Sequence, residues 1–341
     1  MSTLLKGQLL HLGLLGVAGV LALGVWTRDD DGKLATKTNE VEVWGGTPDS
    51  VTAVSFESKT RKVRIEPKKD ALGRWYVGTV DKDEPSSISP PHGADAGAAP
   101  APAPPKHTTV RFVAVKAADE MMKTLAPLLA LRAVGKVEGT RAEEFGLDKP
   151  EGTLKLTVDG RPQSLVIGGA TPGGSERYAR SGSGEVFAIA GNVVQNLLYA
   201  ESRLPERDLQ AFKPEEVTRV RITKGAKKRD LSRVPDKKEG WADSATPTKL
   251  DETAGNWMTK LGRLHVQDWV EKPVQAVAAD NAVVHVDYFA GSKALGSLDL
   301  YRVLAEKGNE YLARTEYGRW YARVVTSSAE QVDQDSASVV K

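Results

Sequence analysis

One stretch of this chain occurs twice, as Val51–Trp75 and as Val217–Trp241. Both copies open with Val-Thr-x-Val (Val51, Thr52 and Val54; Val217, Thr218 and Val220). Each continues with a basic pair (Arg61-Lys62; Lys227-Lys228), an aspartate (Asp70; Asp236) and a closing tryptophan (Trp75; Trp241), all 166 positions apart without a gap. Two further matches follow in the same order. Met122, Leu125, Leu128, Val134 and Lys136 answer to Met258, Leu261, Leu264, Val270 and Lys272 at a spacing of 136, and Ala179, Arg180 and Gly184 to Ala313, Arg314 and Gly318 at 134. Three ordered blocks predict an internal duplication, and two copies make a tandem pair of domains rather than a solenoid.

The first unit is expected over residues 41–202 and the second over residues 203–332, which suits a chain of 341 residues. Val51–Phe56, Lys62–Ile65, Arg74–Val77 and Thr109–Val115 have strand composition. Thr153–Val158 and Ser164–Ile167 flank Asp159-Gly160, a strong hairpin signal. Val283–Val286 and Ser297–Leu300 repeat that block. Met121 or Met122, Leu125 and Leu128 or Leu129 fall at helical spacing, with Pro127 expected to kink or restart the helix. Val193–Tyr199 reads as a short helix, and residues 333–341 as a frayed tail. Each unit is therefore expected to be α+β, with helices on one face of a mostly antiparallel sheet. The spacing falls from 166 to 136 between Trp75 and Met122, so the first unit carries extra chain there. The Pro/Ala-rich run over residues 85–105 lies in that interval and reads as an insertion that buries no core.

The N-terminus predicts a location. Leu9–Trp26 holds no charge and only His11 as a polar interruption. Eighteen helical residues span about 27 Å, close to the ~30 Å hydrocarbon core. Residues 1–28 are read as a transmembrane signal anchor and residues 29–40 as a polar tether. Lys6 and the amino terminus lie before the span, so the body is expected on the periplasmic side of the inner (cytoplasmic) membrane. The competing reading is a cleaved signal peptide with Ala22-x-Gly24 as its cleavage site.

The search for chemistry returns exclusions. With no cysteine, disulfides, thiolate metal sites and a Cys nucleophile are ruled out. Net charge is +2 from 47 basic and 45 acidic residues, so no overall field draws the chain to nucleic acid. Gly168–Gly174 lacks a following Gly-Lys-Ser/Thr and sits between strands, so it reads as a hairpin loop, not a phosphate loop. His11, His92, His107, His265 and His285 show no metal-ligand spacing. His285 and Asp287 share one strand face, as a proton-transfer pair or as an ordinary polar face. Accordingly no catalytic, cofactor or metal residue is assigned, no cofactor is expected, and the chain is read as no enzyme. Basic residues beside aromatics recur in both copies (Arg61, Lys62, Arg64, Lys68 and Lys69 with Trp75 and Tyr76; Arg219, Arg221, Lys224, Lys227, Lys228, Arg229 and Arg233 with Trp241). They read as edge-strand charges that block edge pairing, or as a surface for anionic headgroups or cell-wall polymers.

Gly146-Leu147-Asp148-Lys149-Pro150, Leu165-Val166-Ile167-Gly168, Tyr178-Ala179-Arg180, Arg207-Asp208-Leu209 and Glu216-Val217-Thr218 follow one another in this order. With the N-terminal apolar run, they resemble a bacterial family, domain of unknown function 4340. The likeness is sharpest over Phe145–Ile222, and the second unit lacks the Gly-Leu-Asp-Lys-Pro segment. The resemblance implies an anchored extracytoplasmic protein, often encoded beside gliding-type ABC transporter subunits, with no catalytic residues to carry over. The expected function is therefore a non-enzymatic accessory protein of a membrane complex, with ABC permease and ATPase subunits as partners. The alternative is an envelope binding module for an anionic glycan or lipid headgroup.

Overall fold

The computed structural model describes residues 40–70, 73–84, 106–137, 141–234, 240–272, 277, 281–306, 308–316 and 319–340. The expected anchor (9–26), the tether up to residue 39 and the insertion 85–105 lie outside them. Among the described residues no helix is long and apolar enough to cross a membrane.

In chain order the first half comprises β1 (Val41–Trp44), β2 (Val51–Glu57), β3 (Arg61–Asp70), β4 (Gly73–Glu84), β5 (Lys106–Ala114), helix α1 (Lys116–Leu125), β6 (Leu128–Ala130), β7 (Arg132–Lys136) and the single-turn α2 (Arg141–Glu144). The strands β8 (Gly152–Val158), β9 (Arg161–Ala170), β10 (Glu176–Ser181) and β11 (Glu185–Ala190) then lead into α3 (Gly191–Leu198) and α4 (Ala200–Arg203). The second half runs β12 (Arg219–Lys224), β13 (Lys227–Arg233), β14 (Trp241–Asp243), α5 (Glu252–Gly262) and β15 (Val266–Val270). It ends with β16 (Ala282–Ala290), β17 (Lys293–Ala305), β18 (Gly308–Thr315), β19 (Tyr321–Val324) and α6 (Thr326–Val339).

The architecture is β-rich α+β. The first large sheet has the order β5-β4-β3-β2-β8-β9-β10-β11-β7 and the second β14-β13-β12-β16-β17-β18-β19-β15. Element for element the two orders agree, and β5 alone has no counterpart. Pairing agrees as well. Val54 faces Ile65 and Val220 faces Leu231, while Ile167 faces Ala179 and Leu300 faces Ala313. Strand alternation makes each inner face: Val54 and Phe56 of β2, like Val220 and Ile222 of β12, are buried while their neighbours are more exposed. At the β8–β9 turn Asp159 and Gly160 both take positive φ, as a type I′ hairpin requires.

Several expectations change. Trp241 pairs with Arg233, whereas the equivalent position in the first half, Pro67, pairs with Tyr76. The buried Tyr76 is thus the counterpart of Trp241, and Trp75 faces the opposite side of the sheet. The helix expected to run through Pro127 stops at Leu125, and Leu128–Ala130 is a strand that pairs with β1. Proline offers no N–H to continue the helix. The extra chain of the first half is more than the Pro/Ala-rich run, because it includes β5 itself and the outer end of the 12-residue β4.

Residues 333–339, expected to fray, continue α6, with Ala329, Val332, Ser336 and Val339 buried. The helix is held largely by polar latches. Asp333 accepts from Arg302 (3.0 Å) and from the Tyr311 hydroxyl (2.9 Å), Lys224 donates to the Ser336 hydroxyl (2.8 Å), and Arg229 donates to the Val339 carbonyl (2.9 Å). Trp257 of α5 donates its indole N–H to the Val332 carbonyl at 3.0 Å. Residues 42–341 form one compact unit, and one hydrophobic core runs through both halves.

Candidate functional site

Three places gather chemistry-bearing side chains: the seam between the halves and the open face of each sheet. At the seam, the free edge of β5 meets the free edge of β15 across the linker. Glu206 N–H donates to the Val113 carbonyl (2.9 Å), and Val266 N–H donates to the Arg207 carbonyl (3.3 Å). The Arg207 guanidinium donates to the Gln267 carbonyl (3.0 Å), and the Trp269 indole donates to the Glu206 carbonyl (2.9 Å). The buried Glu206 carboxylate accepts from the backbone N–H groups of Lys116, Arg207 and Asp208. A buried carboxylate satisfied in this way is a structural strut.

Two arginines complete the seam. Arg319, its side chain only 6% exposed, donates two hydrogen bonds to Asp70 (2.7 and 2.9 Å) and lies 5.2 Å from the centre of the Trp75 ring. Arg111 of β5 pairs with Glu271 and lies 5.1 Å from the Trp320 ring. Guanidinium over aromatic adds cation–π attraction to the ion pair. These contacts fill the seam. No sequence pattern joined Asp70 to Arg319, because their separation of 249 residues is closed only by the tertiary fold.

On the open face of the second sheet, His285 sits between two carboxylates. Its Nδ1 lies 2.6 Å from Asp299 and its Nε2 3.0 Å from Asp287. Partial burial alone lowers the imidazole pKa, but the hydrogen bond and charge of Asp299, followed by those of Asp287, outweigh it and hold the pKa above its ordinary value. Beside them Arg221 makes a bidentate pair with Asp230 (2.8 and 3.1 Å), and Arg314 stands opposite Asp299 in register. A proton-transfer base needs a free ring nitrogen toward its substrate. Here both nitrogens are engaged, so the cluster is a charge ladder across strands. The sequence paired His285 with Asp287 but missed Asp299. The hairpin register of β16 and β17 carries that signal, because His285 and Asp299 occupy directly opposed positions.

The open face of the first sheet is basic. Arg64 and Lys155 project from interior strands, since β3 lies between β4 and β2 and β8 between β2 and β9. The same holds for β13, which lies between β14 and β12. The basic residues of β3 and β13 therefore do not guard sheet edges, as expected above. Many are instead matched to carboxylates or rings. Arg61 pairs with Glu201, Arg229 with Asp243 and Asp251, and Arg233 lies over Trp241. A shallow groove of about 230 Å³ runs beside Lys155, lined among others by Ala53, Ser55, Thr157, Gln163 and Ser164. Among the described residues no group of His, Asp and Glu has the arrangement of a metal site. His107 lies 2.9 Å from Asp83, and His265 is exposed after α5, while His11 and His92 lie outside the described residues.

The segment Phe145–Leu147 packs against β9. Gly169 N–H donates to the Phe145 carbonyl at 2.8 Å, and a Cβ on Gly168 would lie 2.3 Å from that same carbonyl oxygen. Phe145, Leu147, Val137 and Val186 form a small second core there, with Tyr178 edge-on to Phe145 at 4.7 Å. A glycine pair in β9 facing a Phe-Gly-Leu turn is thus one interlocking contact. Residues 113–282 match the family model described as Domain of unknown function (DUF4340). The chain belongs to the DUF4340 family. The matched DUF4340 segment starts at the end of β5 and stops at the first residue of β16, so it takes in the Phe145–Gly169 contact, the linker and much of the seam. No curated protein and no solved structure matches this DUF4340 protein.

Proposed function

We propose that this DUF4340 protein is a non-enzymatic, membrane-anchored accessory subunit of a membrane complex, a gliding-type ABC transporter, with its body on the periplasmic side. The anchor reading rests on the uncharged run Leu9–Trp26 with Lys6 before it. The transporter reading rests on what the family resemblance implies. The single structural observation that supports a presenting rather than a processing role is the filled seam. Arg319, Asp70, Trp75, Arg111, Glu271, Trp320 and Glu206 occupy the place where a two-domain enzyme or solute receptor keeps its cleft. Locked together, the halves hold two sheet faces outward as one body. The shared strand order and registers support an origin of the two halves by internal duplication.

Purification of the tagged full chain from native membranes in mild detergent tests the reading. Enrichment of a permease or ATPase subunit, relative to the same anchor carrying an unrelated body, is the expected result. Equal recovery with both bodies would overturn the accessory assignment.

A further inference from the structure

We propose that the open face of the first sheet is a binding strip for an acidic polysaccharide. One row of side chains crosses six strands there in direct register: Ser164 of β9, Lys155 of β8, Ser55 of β2, Arg64 of β3, Thr79 of β4 and Arg111 of β5. Cations alternate with hydroxyls along it. With strands about 4.8 Å apart, successive cations stand roughly 10 Å apart on a line about 24 Å long. Arg111 is engaged by Glu271 at the seam. Arg64 and Lys155 are exposed, and neither has an ion-pair partner among the described residues. Carboxylates two residues along the same strands have other partners: Glu66 has Lys68 (3.0 Å), Glu57 has Lys62 (3.9 Å) and Asp81 accepts from the Thr109 hydroxyl (2.7 Å). The row therefore presents two cations, Arg64 and Lys155, that no ion pair among the described residues engages.

The chemistry of the groove selects the partner. Ser55, Thr157, Gln163 and Ser164 offer hydroxyl and amide groups beside Lys155, and the small Ala53 leaves room between them. Leu156 and Pro162 also line it; Leu156 is buried, so the exposed apolar contribution besides Ala53 is one proline, too little to enter a bilayer, which argues against a lipid surface. β2, β3 and β8 have both neighbours paired, so no free backbone edge is available to add a peptide strand. At about 230 Å³ the groove is below the size that engulfs a small ligand, and it lies at the Ser164–Lys155–Ser55 end of the row. An extended, hydroxyl-rich chain with regularly spaced anions fits: its charges meet Arg64 and Lys155, and its hydroxyls meet the serines and threonines between them. This assignment does not depend on a transporter partner, so the two proposals fail separately.

Binding of the full chain, in detergent micelles, to immobilised polygalacturonate tests it. Wild type should bind polygalacturonate and not a neutral galactan, and binding should weaken as salt rises. Arg64→Gln with Lys155→Gln should reduce affinity about tenfold or more, since two charge contacts are lost. Arg64→Lys with Lys155→Arg should stay within about threefold of wild type, and Lys227→Gln with Lys228→Gln, at the start of β13 in the other large sheet, within about twofold. Unchanged affinity in the Gln pair would overturn the proposal. So would equal loss in the Lys227/Lys228 pair, equal binding of the neutral polymer, or binding to phosphatidylglycerol vesicles without binding to polygalacturonate.

Discussion

The two halves of this protein share an order of strands and differ in how their helices hold on. In the first half the contact is mainly apolar, with the Tyr76 hydroxyl donating to Asp119 (2.6 Å) and the Trp44 indole to the Leu125 carbonyl (2.7 Å) at the ends of α1. α1 buries Ala118, Met121, Met122 and Leu125, and α3 buries Val193, Val194 and Leu197. In the second half α5 is similarly apolar, with Ala254, Trp257 and Leu261 inward, but α6 carries Asp333, Asp335 and Ser336 to partners on the sheet and on α5. Both halves remove apolar surface from water, α6 burying Ala329, Val332 and Val339, but the second half adds more directed hydrogen bonds at its last helix. The first mode is non-directional and tolerant of sliding, at roughly 25 cal/mol per Å² of apolar area. The second specifies one seat for the helix and is more sensitive to solvent conditions.

The comparison breaks most visibly at equivalent core positions. Trp257→Ala should lower stability by about 3–5 kcal/mol, because a large buried ring and its hydrogen bond to the Val332 carbonyl both disappear. Its counterpart Met121→Ala should cost about 2–5 kcal/mol by cavity formation alone. Because residues 42–341 form one compact unit, each variant should shift a single transition in guanidinium denaturation monitored by circular dichroism. A split transition in either would show that the halves unfold separately.

A smaller effect sharpens the seam. Arg319→Ala removes a bidentate partner from Asp70 and uncovers Trp75, and should cost about 2 kcal/mol given that Asp70 keeps partial solvent access. Differential scanning calorimetry should show broadening before the midpoint falls further. An unchanged thermogram would mean that the linker alone couples the halves.

The smallest effect concerns pH. The folded pKa of His285 lies above its ordinary value of 6.5. The stability it contributes is therefore complete below that value and is lost as pH rises through the folded pKa. The difference between wild type and His285→Gln should be largest below the ordinary histidine value and shrink as pH rises above it, and should stay below about 1 kcal/mol because the pair is over a third exposed. A difference that grows toward alkaline pH would reverse the assignment.

Many strands, one hairpin and the correspondence of the halves were legible in the sequence, because Val-Thr-x-Val, the Asp159-Gly160 turn and the Ala179/Ala313 match each report a local pattern of period two or a turn, whereas the strand order was not. Nor was α6. Its buried positions are Ala329, Val332, Ser336 and Val339, too small and too polar to raise an apolar stripe above its charged neighbours. The exchange of Trp75 for Tyr76 was equally hidden, since a one-residue slip in β4 reverses which side chain faces the core and leaves composition unchanged. Of the candidate sites, half of the His285 cluster showed as an i, i+2 pair. The row from Ser164 to Arg111 did not, because it is written across six strands and has no linear form at all.

The linker over Glu206 and Arg207 has a consequence for how such a chain survives unassembled. Two sheets made separately would present four unpaired rims to any passing strand, each a template for aggregation. Seating the linker between β5 and β15 covers part of two of them, through the Glu206–Val113 and Arg207–Val266 hydrogen bonds, while the outer strands of the two large sheets are the five-residue β7 and the three-residue β14. Doubling the sheet thus doubles the displayed face without doubling the adhesive perimeter. It also means that either half expressed alone would expose the strand edge that the linker covers in the intact protein.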